Sequence, residues 1–567
     1  MTTSDTHSQP WLHHYPEGID WSTPLTRRSL NEYIDDAEIR FADRPAIDFL
    51  GRKTTYAQLA AQIRQAAKGF QDMGVTKGSR VGLCLPNTPY SVICYFGALR
   101  AGATVVNYNP LYVERELAFQ ISDSETEIMV TMDLKLLYPK VAAMLSQTES
   151  LQQIVVCRMS PILPPLKGLL FGVVKRKEIA AVTDGETTVR FEDLINNDGQ
   201  PESVEIDIEQ DIAVLQYTGG TTGRSKGAML TQANLSANIS QVLSWFPGLR
   251  PGEEKIVGVL PLFHVFAMTA VMNFAVASGA EMILLPRYEL EQTLKTLSAK
   301  KATLFPAVPT IYTAINQAPD LAKYDLSSIR YCMSGGAPLP LEVKRQFEQI
   351  TGCKLVEGYG LSESSPVATC NALTGINKEN SIGLPVPGTD ITIHDLEAPH
   401  DLMPVGERGE VWIKGPQIMK GYLNQAEETT DTLRDGWLRT GDVGYMDEEG
   451  HFFLVDRLKD LILCSGYNVY PRMVEEAIYL HSAVSEVTVI GIKDEYRGES
   501  PKAFVKLKPG GSLTEADLKQ FLEDKLSKIE MPSHIEFRDE LPKTIIGKLS
   551  KKELVAEEQA QQTQADS

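Results

Sequence analysis

At 567 residues the chain is too long for one ordinary core, and its length predicts two to four domains. A hydrophobic fraction of 43% and a charged fraction of 23% are those of a globular protein in water. The formal charge of −19 argues against the basic face that phosphate-backbone binding needs, so no nucleic-acid partner is expected; an anionic ligand must be held by local lysine, arginine or metal charge.

Seven cysteines without a C-x-x-C pair favour reduced thiols and a cytoplasmic setting over a disulfide or zinc framework. Residues 1–16 are polar and lack the basic-then-apolar pattern of a secretory leader. No stretch approaches the roughly 18 apolar residues of a spanning helix.

The first 40 residues read as a lead-in with a helical pattern at 30–34. Thr55 opens an amphipathic helix on which Leu59, Ile63, Ala66 and Phe70 recur at helical spacing. Residues 80–85 and 104–106 read as buried strands around a helix at 95–99. This alternation continues to about residue 360 and predicts an α/β fold with a mixed or mainly parallel sheet. Residues 161–177 depart from it, being apolar and then basic through Lys175, Arg176 and Lys177. One reading is a helix packed on the body. The other is a peripheral patch resting on a membrane surface, where apolar insertion and attraction to anionic lipid combine.

An apolar run at 212–217 leads into Thr218-Gly219-Gly220-Thr221-Thr222-Gly223-Arg224-Ser225-Lys226-Gly227. Glycines and hydroxyl residues fill eight of these ten positions, so backbone N–H groups and hydroxyls can converge on one anion, and Lys226 adds a positive charge. A linker is the plainer reading of such composition, but the loop is short, carries a lysine and lies between two apolar runs. No G-K-[S/T] closes it, which argues against an ordinary P-loop.

Thr231 is a candidate N-cap for a helix with Leu235, Ile239, Val242, Leu243 and Phe246 on one face. A strand at 257–260 runs into Pro261-Leu262-Phe263-His264-Val265-Phe266, where a histidine among aromatics is ordinarily a satisfied core residue. In Ser334-Gly335-Gly336-Ala337-Pro338-Leu339 the small side chains let a flat ligand approach the backbone, although a tight turn explains them equally well. Glu357-Gly358-Tyr359-Gly360-Leu361-Ser362-Glu363 sets an aromatic plane, a hydroxyl and two carboxylates within seven residues. Purine stacking on Tyr359 with Mg²⁺ at Glu363 is chemically sensible there, against the alternative of an exposed loop. Residues 435–444, leading on to Arg457 and Lys459, place Asp442 where a carboxylate can accept ribose hydroxyls; a turn aspartate is the commoner explanation. From Leu461 the pattern becomes that of a compact α+β domain of about 100 residues. Near its end, Leu541-Pro542-Lys543-Thr544-Ile545-Ile546-Gly547-Lys548-Leu549 sets a lysine after a glycine, which is normally just solvated.

The stretch from Tyr217 to Gly227 resembles the signature of the AMP-forming adenylating enzymes. Six stretches between Tyr217 and Lys548, in family order and at family spacing, are similar to those of medium- to long-chain acyl-CoA synthetases, and the resemblance covers nearly the whole chain. It implies a large N-terminal domain of mixed β-sheets layered with helices (1–456), a hinge (457–460) with Lys459 at its centre, and a small mobile C-terminal α+β domain (461–567). The implied substrates are a fatty acid, ATP and CoA, with Mg²⁺ as cofactor and acyl-CoA, AMP and pyrophosphate as products.

By the same resemblance, Thr218, Gly219, Gly220, Thr221, Thr222, Gly223 and Lys226 hold the β- and γ-phosphates, and Thr218 with Glu363 holds Mg²⁺. Gly335, Gly336, Ala337 and Pro338 form the adenine wall together with Glu357, Gly358, Tyr359 and Gly360. Ser362 replaces the usual threonine at an α-phosphate contact, and Asp442 and Arg457 hold the ribose. His264 stands at the carboxylate end of the acyl pocket, with Met268 where some members carry a gating tryptophan. Lys548 matches the catalytic lysine, and Gly466 lies on the implied path of CoA. Ser550-Lys551-Lys552 and Ile529-Glu530 depart from the family's usual Arg-Arg and Tyr-Lys, which leaves the CoA phosphate contacts open. Homodimerisation is a family habit. Rival readings are an aryl- or dicarboxylate-CoA ligase, an acyl-AMP ligase loading a carrier protein, and a non-catalytic nucleotide-binding scaffold.

Overall fold

The computed structural model describes residues 9–183, 185–218, 225–465, 467–494, 496–544 and 547–565. Gly219, Gly220, Thr221, Thr222 and Gly223 of the glycine loop, and Gly466, lie outside the described residues.

Two helices show how the core of the body is made. Tyr56–Asp72 starts at a capping box between Thr55 and Gln58 and buries Leu59, Ile63, Ala66 and Phe70, as their spacing predicts. It packs on Pro89–Arg100, which is buried from Pro89 to Leu99. Gly97 lets the two backbones meet: a Cβ there would stand 2.8 Å from Cβ of Ala66.

Helix Pro89–Arg100 packs on an eight-stranded sheet. Its order is Gly421–Tyr422, Lys226–Thr231, Ile212–Thr218, Thr104–Asn107, Arg80–Leu83, Ile128–Met132, Gln153–Cys157 and Thr188–Arg190. The strands from Ile212–Thr218 to Thr188–Arg190 pair in parallel, and their side chains are mostly buried, as expected when helices cover a sheet. The first two strands, Gly421–Tyr422 and Lys226–Thr231, run antiparallel to their neighbours.

A second sheet sets Lys255–Gly258 beside Glu281–Leu284, Pro45–Phe49 and Arg52–Thr55. Isolated bridges at Leu304 connect it to Tyr331, which opens strand Tyr331–Ser334, itself parallel to Lys354–Gly360. A third sheet pairs Gly409–Lys414 with Trp437–Met446, and that strand with Phe452–Arg457, in a register that puts Asp442 opposite Arg457.

Past the short turn Leu458–Asp460 the chain builds another sheet, centred on the long hairpin Val484–Asp494 and Gly498–Leu507. Helices Pro471–Tyr479 and Glu515–Leu522 cover it, and Ile462, Val474, Val487, Val489, Leu518 and Leu522 form a core of its own. Its polar contacts with the body include Thr310 Oγ1 to Gly547 O at 2.6 Å, Gln317 Nε2 to Ser485 Oγ at 3.2 Å, and Arg408 over the Tyr470 ring at 5.1 Å. All seven cysteines are buried and none forms a disulfide. Among the described residues no helix is long and apolar enough to cross a membrane.

Candidate active site

A cavity of about 720 Å³ opens where the body meets the loop that carries Lys548. Strand ends build most of its wall. The antiparallel register of Ile212–Thr218 with Lys226–Thr231 sets Thr218 directly opposite Lys226. The parallel strands Tyr331–Ser334 and Lys354–Gly360 deliver Gly335, Gly336, Gly358, Tyr359 and Gly360 to the same wall, followed by Ser362 and Glu363. His264, Arg457, Lys459 and Lys548 complete it. Residues spread over more than 300 positions thus meet in one cleft at the C-terminal ends of parallel strands, where open α/β sheets generally bind ligands.

Close packing explains the small residues. Gly336 has a φ of +82°, and a Cβ there would stand 2.6 Å from Lys548 Cε. Any side chain at 336 would therefore push the lysine away. Gly360 meets backbone instead, with a Cβ position 1.8 Å from Pro366 O. Ala337, Pro338 and Glu357 do not line the cavity. Glu357 is buried behind the wall, where its Oε1 accepts from the Leu339 N–H at 3.3 Å. Burial lifts its carboxyl to about 7 against the opposing charge of Arg472.

Charge in the cleft is arranged in linked pairs. Asp442 is buried and reaches the cavity through two partners that line it: the Tyr359 hydroxyl donates to Oδ2 at 2.6 Å, and Arg457 Nε lies 3.1 Å from Oδ1. Burial and the Asp442 charge together hold the Tyr359 phenol well above its ordinary range. Glu410, the acid of the preceding strand, is consumed structurally. It takes Arg439 and the Trp412 indole on Oε2 and the Gly441 N–H on Oε1, fixing the turn that presents Asp442.

On the other side, Glu363 Oε1 accepts from the Tyr422 hydroxyl at 2.7 Å, while Lys226 pairs with Glu428 and lies 5.4 Å from the centre of the Tyr422 ring. Glu363 and Thr218 supply a carboxylate and a hydroxyl oxygen to the wall, the hard donors that Mg²⁺ takes. The other candidate group among the described residues, Asp447, Glu449 and His451, already holds the Lys378 ammonium between its carboxylates.

Lys548 and His264 are shifted downward. Burial, and then the nearby Arg457 charge, draw the Lys548 ammonium down to about 8, with Asp442 opposing. Burial and the charge of Lys548 push His264 down to about 3, so its imidazole is neutral at ordinary pH. His264 Nδ1 accepts the Phe266 N–H at 3.2 Å, which leaves the ring proton on Nε2.

Several cleft residues went unnoticed in the sequence. Tyr422 and Glu428 arrive with the two-residue edge strand Gly421–Tyr422 and the helix Ala426–Thr432, neither of which carries a motif. Asn107 and Gln216 had a usable signal: each is an amide near the end of an otherwise apolar buried strand. Asn107 Nδ2 donates to Gln216 Oε1 at 3.1 Å, and Gln216 Nε2 donates to Phe263 O at 3.1 Å, bracing the segment that bears His264. Met268 is fully buried beside Asn107 (Nδ2 to Sδ 3.4 Å) and does not line the cleft; Met333 does. Lys551 is 3.4 Å from Glu475 and is held within the smaller unit.

The family model described as AMP-binding enzyme matches residues 35–423, and the AMP-binding enzyme C-terminal domain matches residues 473–548. A long-chain-fatty-acid–CoA ligase of Bacillus subtilis (strain 168) is 45% identical over 553 residues, covering 97% of this chain and 98% of that protein. Among solved structures, the anthranilate CoA ligase AuaEII in complex with anthranoyl-AMP superposes with a TM-score of 0.84 at 25% identity, covering 96% of this chain and all of the other. ATP-bound MatB from Rhodopseudomonas palustris superposes with a TM-score of 0.81 at 28% identity, covering 93% of this chain and 98% of its own.

Proposed function

The chain belongs to the AMP-binding enzyme family, and on that premise we propose that it is an AMP-forming fatty-acid–CoA ligase working on long-chain acids. The observation that carries this reading is the seating of Lys548 against Gly336, beside Arg457 and near the neutral His264. That arrangement supports a role for one ammonium in bridging a carboxylate and an α-phosphate.

In the first half-reaction a carboxylate oxygen of the fatty acid attacks the α-phosphorus of ATP. The new O–P bond forms as the bond to the β-phosphate bridge breaks, giving acyl-AMP and pyrophosphate. Positioning and charge stabilisation are then the main tasks of the protein. Thr218 and Lys226 hold the outer phosphates, Tyr359 stacks on the adenine, and Asp442 with Arg457 fixes the ribose. Ser362 faces the α-phosphate. Glu363 and Thr218 would hold Mg²⁺, which supplies positive charge to the triphosphate. The Nε2–H of His264 suits a carboxylate oxygen, and Val265, Phe266, Met333 and Val367 offer apolar surface to the start of the alkyl chain.

In the second half-reaction the CoA sulfur attacks the acyl carbon and AMP leaves with its carboxyl-derived oxygen. We assign residues 457–460 as the hinge, about Lys459, on which the unit from 461 to 567 turns, withdrawing Lys548 and bringing the face around residue 466 to the thioester site. The polar contacts at Gly547, Ser485 and Tyr470 are few and exchangeable, which suits a moving interface.

The test is pyrophosphate release with ATP and Mg²⁺, with and without CoA, across straight-chain acids of increasing length plus benzoate, coumarate and pimelate. A maximum on long fatty acids with acyl-CoA as product is expected. A maximum on pimelate or an aryl acid would replace the substrate and keep the mechanism, and no release with any acid would overturn the reading.

A further inference from the structure

Surface helices ordinarily turn their large apolar side chains inward and leave small or charged ones in water. Helix Pro165–Val174 is built the other way round. It meets the body through Phe171, half-buried against the core, and through glycine: Gly168 is buried, and a Cβ there would stand 2.5 Å from Ser160 O. Gly172, one turn further, faces the same serine, with its Cβ position 3.9 Å from Oγ. The aliphatic side chains fall elsewhere, with Leu166 71%, Leu169 69%, Leu170 52%, Val173 71% and Val174 70% exposed. Their spacing is that of a helical stripe.

This stripe is anchored in its outward orientation. Lys167 Nζ donates to Leu50 O at 2.9 Å, and Arg52 Nη1 donates to Pro161 O and, at 3.3 Å, to Leu163 O. The apolar surface continues onto the neighbouring turn, where Leu136 is exposed and the Lys135 N–H bonds Glu178 O at 2.8 Å.

Charge identifies what this surface fits. From 165 to 178 the chain carries Lys167, Lys175, Arg176 and Lys177 against the single acid Glu178, which pairs with Lys175 at 2.6 Å, and exposed Lys135 lies alongside. This local excess of positive charge stands in a chain of net charge −19. A protruding aliphatic stripe ending in a basic cluster matches an interface with hydrocarbon beneath and anionic groups above it. At ten residues the helix is too short to cross a bilayer but long enough to lie on one.

We propose that helix Pro165–Val174 docks the enzyme on an anionic membrane surface. The five aliphatic side chains enter the headgroup–acyl boundary, and Lys175, Arg176 and Lys177 meet lipid phosphates. This inference rests on the helix and is independent of the reading of the cleft.

Sedimentation of the full chain with vesicles tests it, using phosphatidylglycerol mixed into phosphatidylcholine against phosphatidylcholine alone. The full chain is expected to bind the anionic vesicles preferentially and to be released as salt rises. The double variant Leu169→Ser/Val173→Ser and the triple variant Lys175→Glu/Arg176→Glu/Lys177→Glu are each expected to weaken partition by about tenfold or more. An unchanged melting temperature confirms that each variant is folded. Absence of binding to anionic vesicles, equal binding to both lipid mixtures, or folded variants that bind like the parent would overturn the proposal. So would a concentration-dependent dimer in solution that the Leu169→Ser/Val173→Ser variant abolishes, because a second copy would then be the occupant of the stripe.

Discussion

The two sides of the cleft are held in place by different means. The body side is fixed by mutually satisfied groups: buried Asp442 between Tyr359 and Arg457, buried Glu410 between Arg439 and the Gly441 N–H, and half-buried Glu363 under Tyr422. The other side is one loop. The Lys548 ammonium has no ion-pair or hydrogen-bond partner among the described residues; the loop rests on the Thr310–Gly547 hydrogen bond and on the absence of a side chain at Gly336. The difference separates tasks. A rigid wall suits recognition of a nucleotide, whereas a loosely held lysine suits a group needed in one step and unwanted in the next.

The sharpest way to break this comparison is to remove the lysine. Lys548→Ala should lower acyl-AMP formation by about a thousandfold, in line with the loss of a charge aimed at the transition state, while thioester formation from supplied acyl-AMP survives. Equal loss in both steps would erase the division of tasks.

Asp442→Asn attacks the rigid side. It leaves Arg457 without its counter-charge and should raise the KM for ATP by about 10- to 100-fold, the scale of one charged hydrogen bond, as read by ATP–pyrophosphate exchange. A change confined to kcat would show that the wall does more than bind.

The third effect follows from pH. With its pKa near 8 the Lys548 ammonium is present below that value and lost above it, so kcat/KM of the adenylation step should fall as pH rises through about 8. Lys548→Ala should lack this limb. His264, pushed down to about 3, stays neutral and should add no limb near its ordinary range.

Thr310→Val is the mildest probe. Loss of one hydroxyl-to-carbonyl bond should slow adenylation by about fivefold and leave the thioester step unchanged, because that bond exists only while the loop is docked. Single-turnover measurement of each half-reaction separates the two.

Much of this architecture was legible from local pattern. Thr55 with Gln58, and Leu59, Ile63, Ala66 and Phe70, announce a helix and the face it buries. The glycines at 335, 336, 358 and 360 mark strand ends where backbone must be approached closely. What escaped were contacts whose logic lies across the fold. Nothing local marks Tyr422 and Glu428, which matter because an edge strand pairs with Lys226–Thr231. Glu410 looks free for a ligand until Arg439 and the Gly441 N–H are seen to occupy it. The apolar run at 165–174 reads as a helix, but its orientation depends on how closely Gly168 can approach Ser160. That is a property of the packed molecule, invisible in the order of residues.

The ion pair between Lys226 and Glu428 has a consequence of its own. If Lys226 has the phosphate role proposed for it, standing bare in the cleft it would hold any passing anion. Here the protein supplies its own competitor. A ligand must out-compete a tethered carboxylate to reach Lys226, and a nucleotide with two further phosphates is far better equipped to do so than a monophosphate. On the proposed reading, Glu428 re-forms the pair once pyrophosphate departs, which keeps the cation covered until ATP binds again.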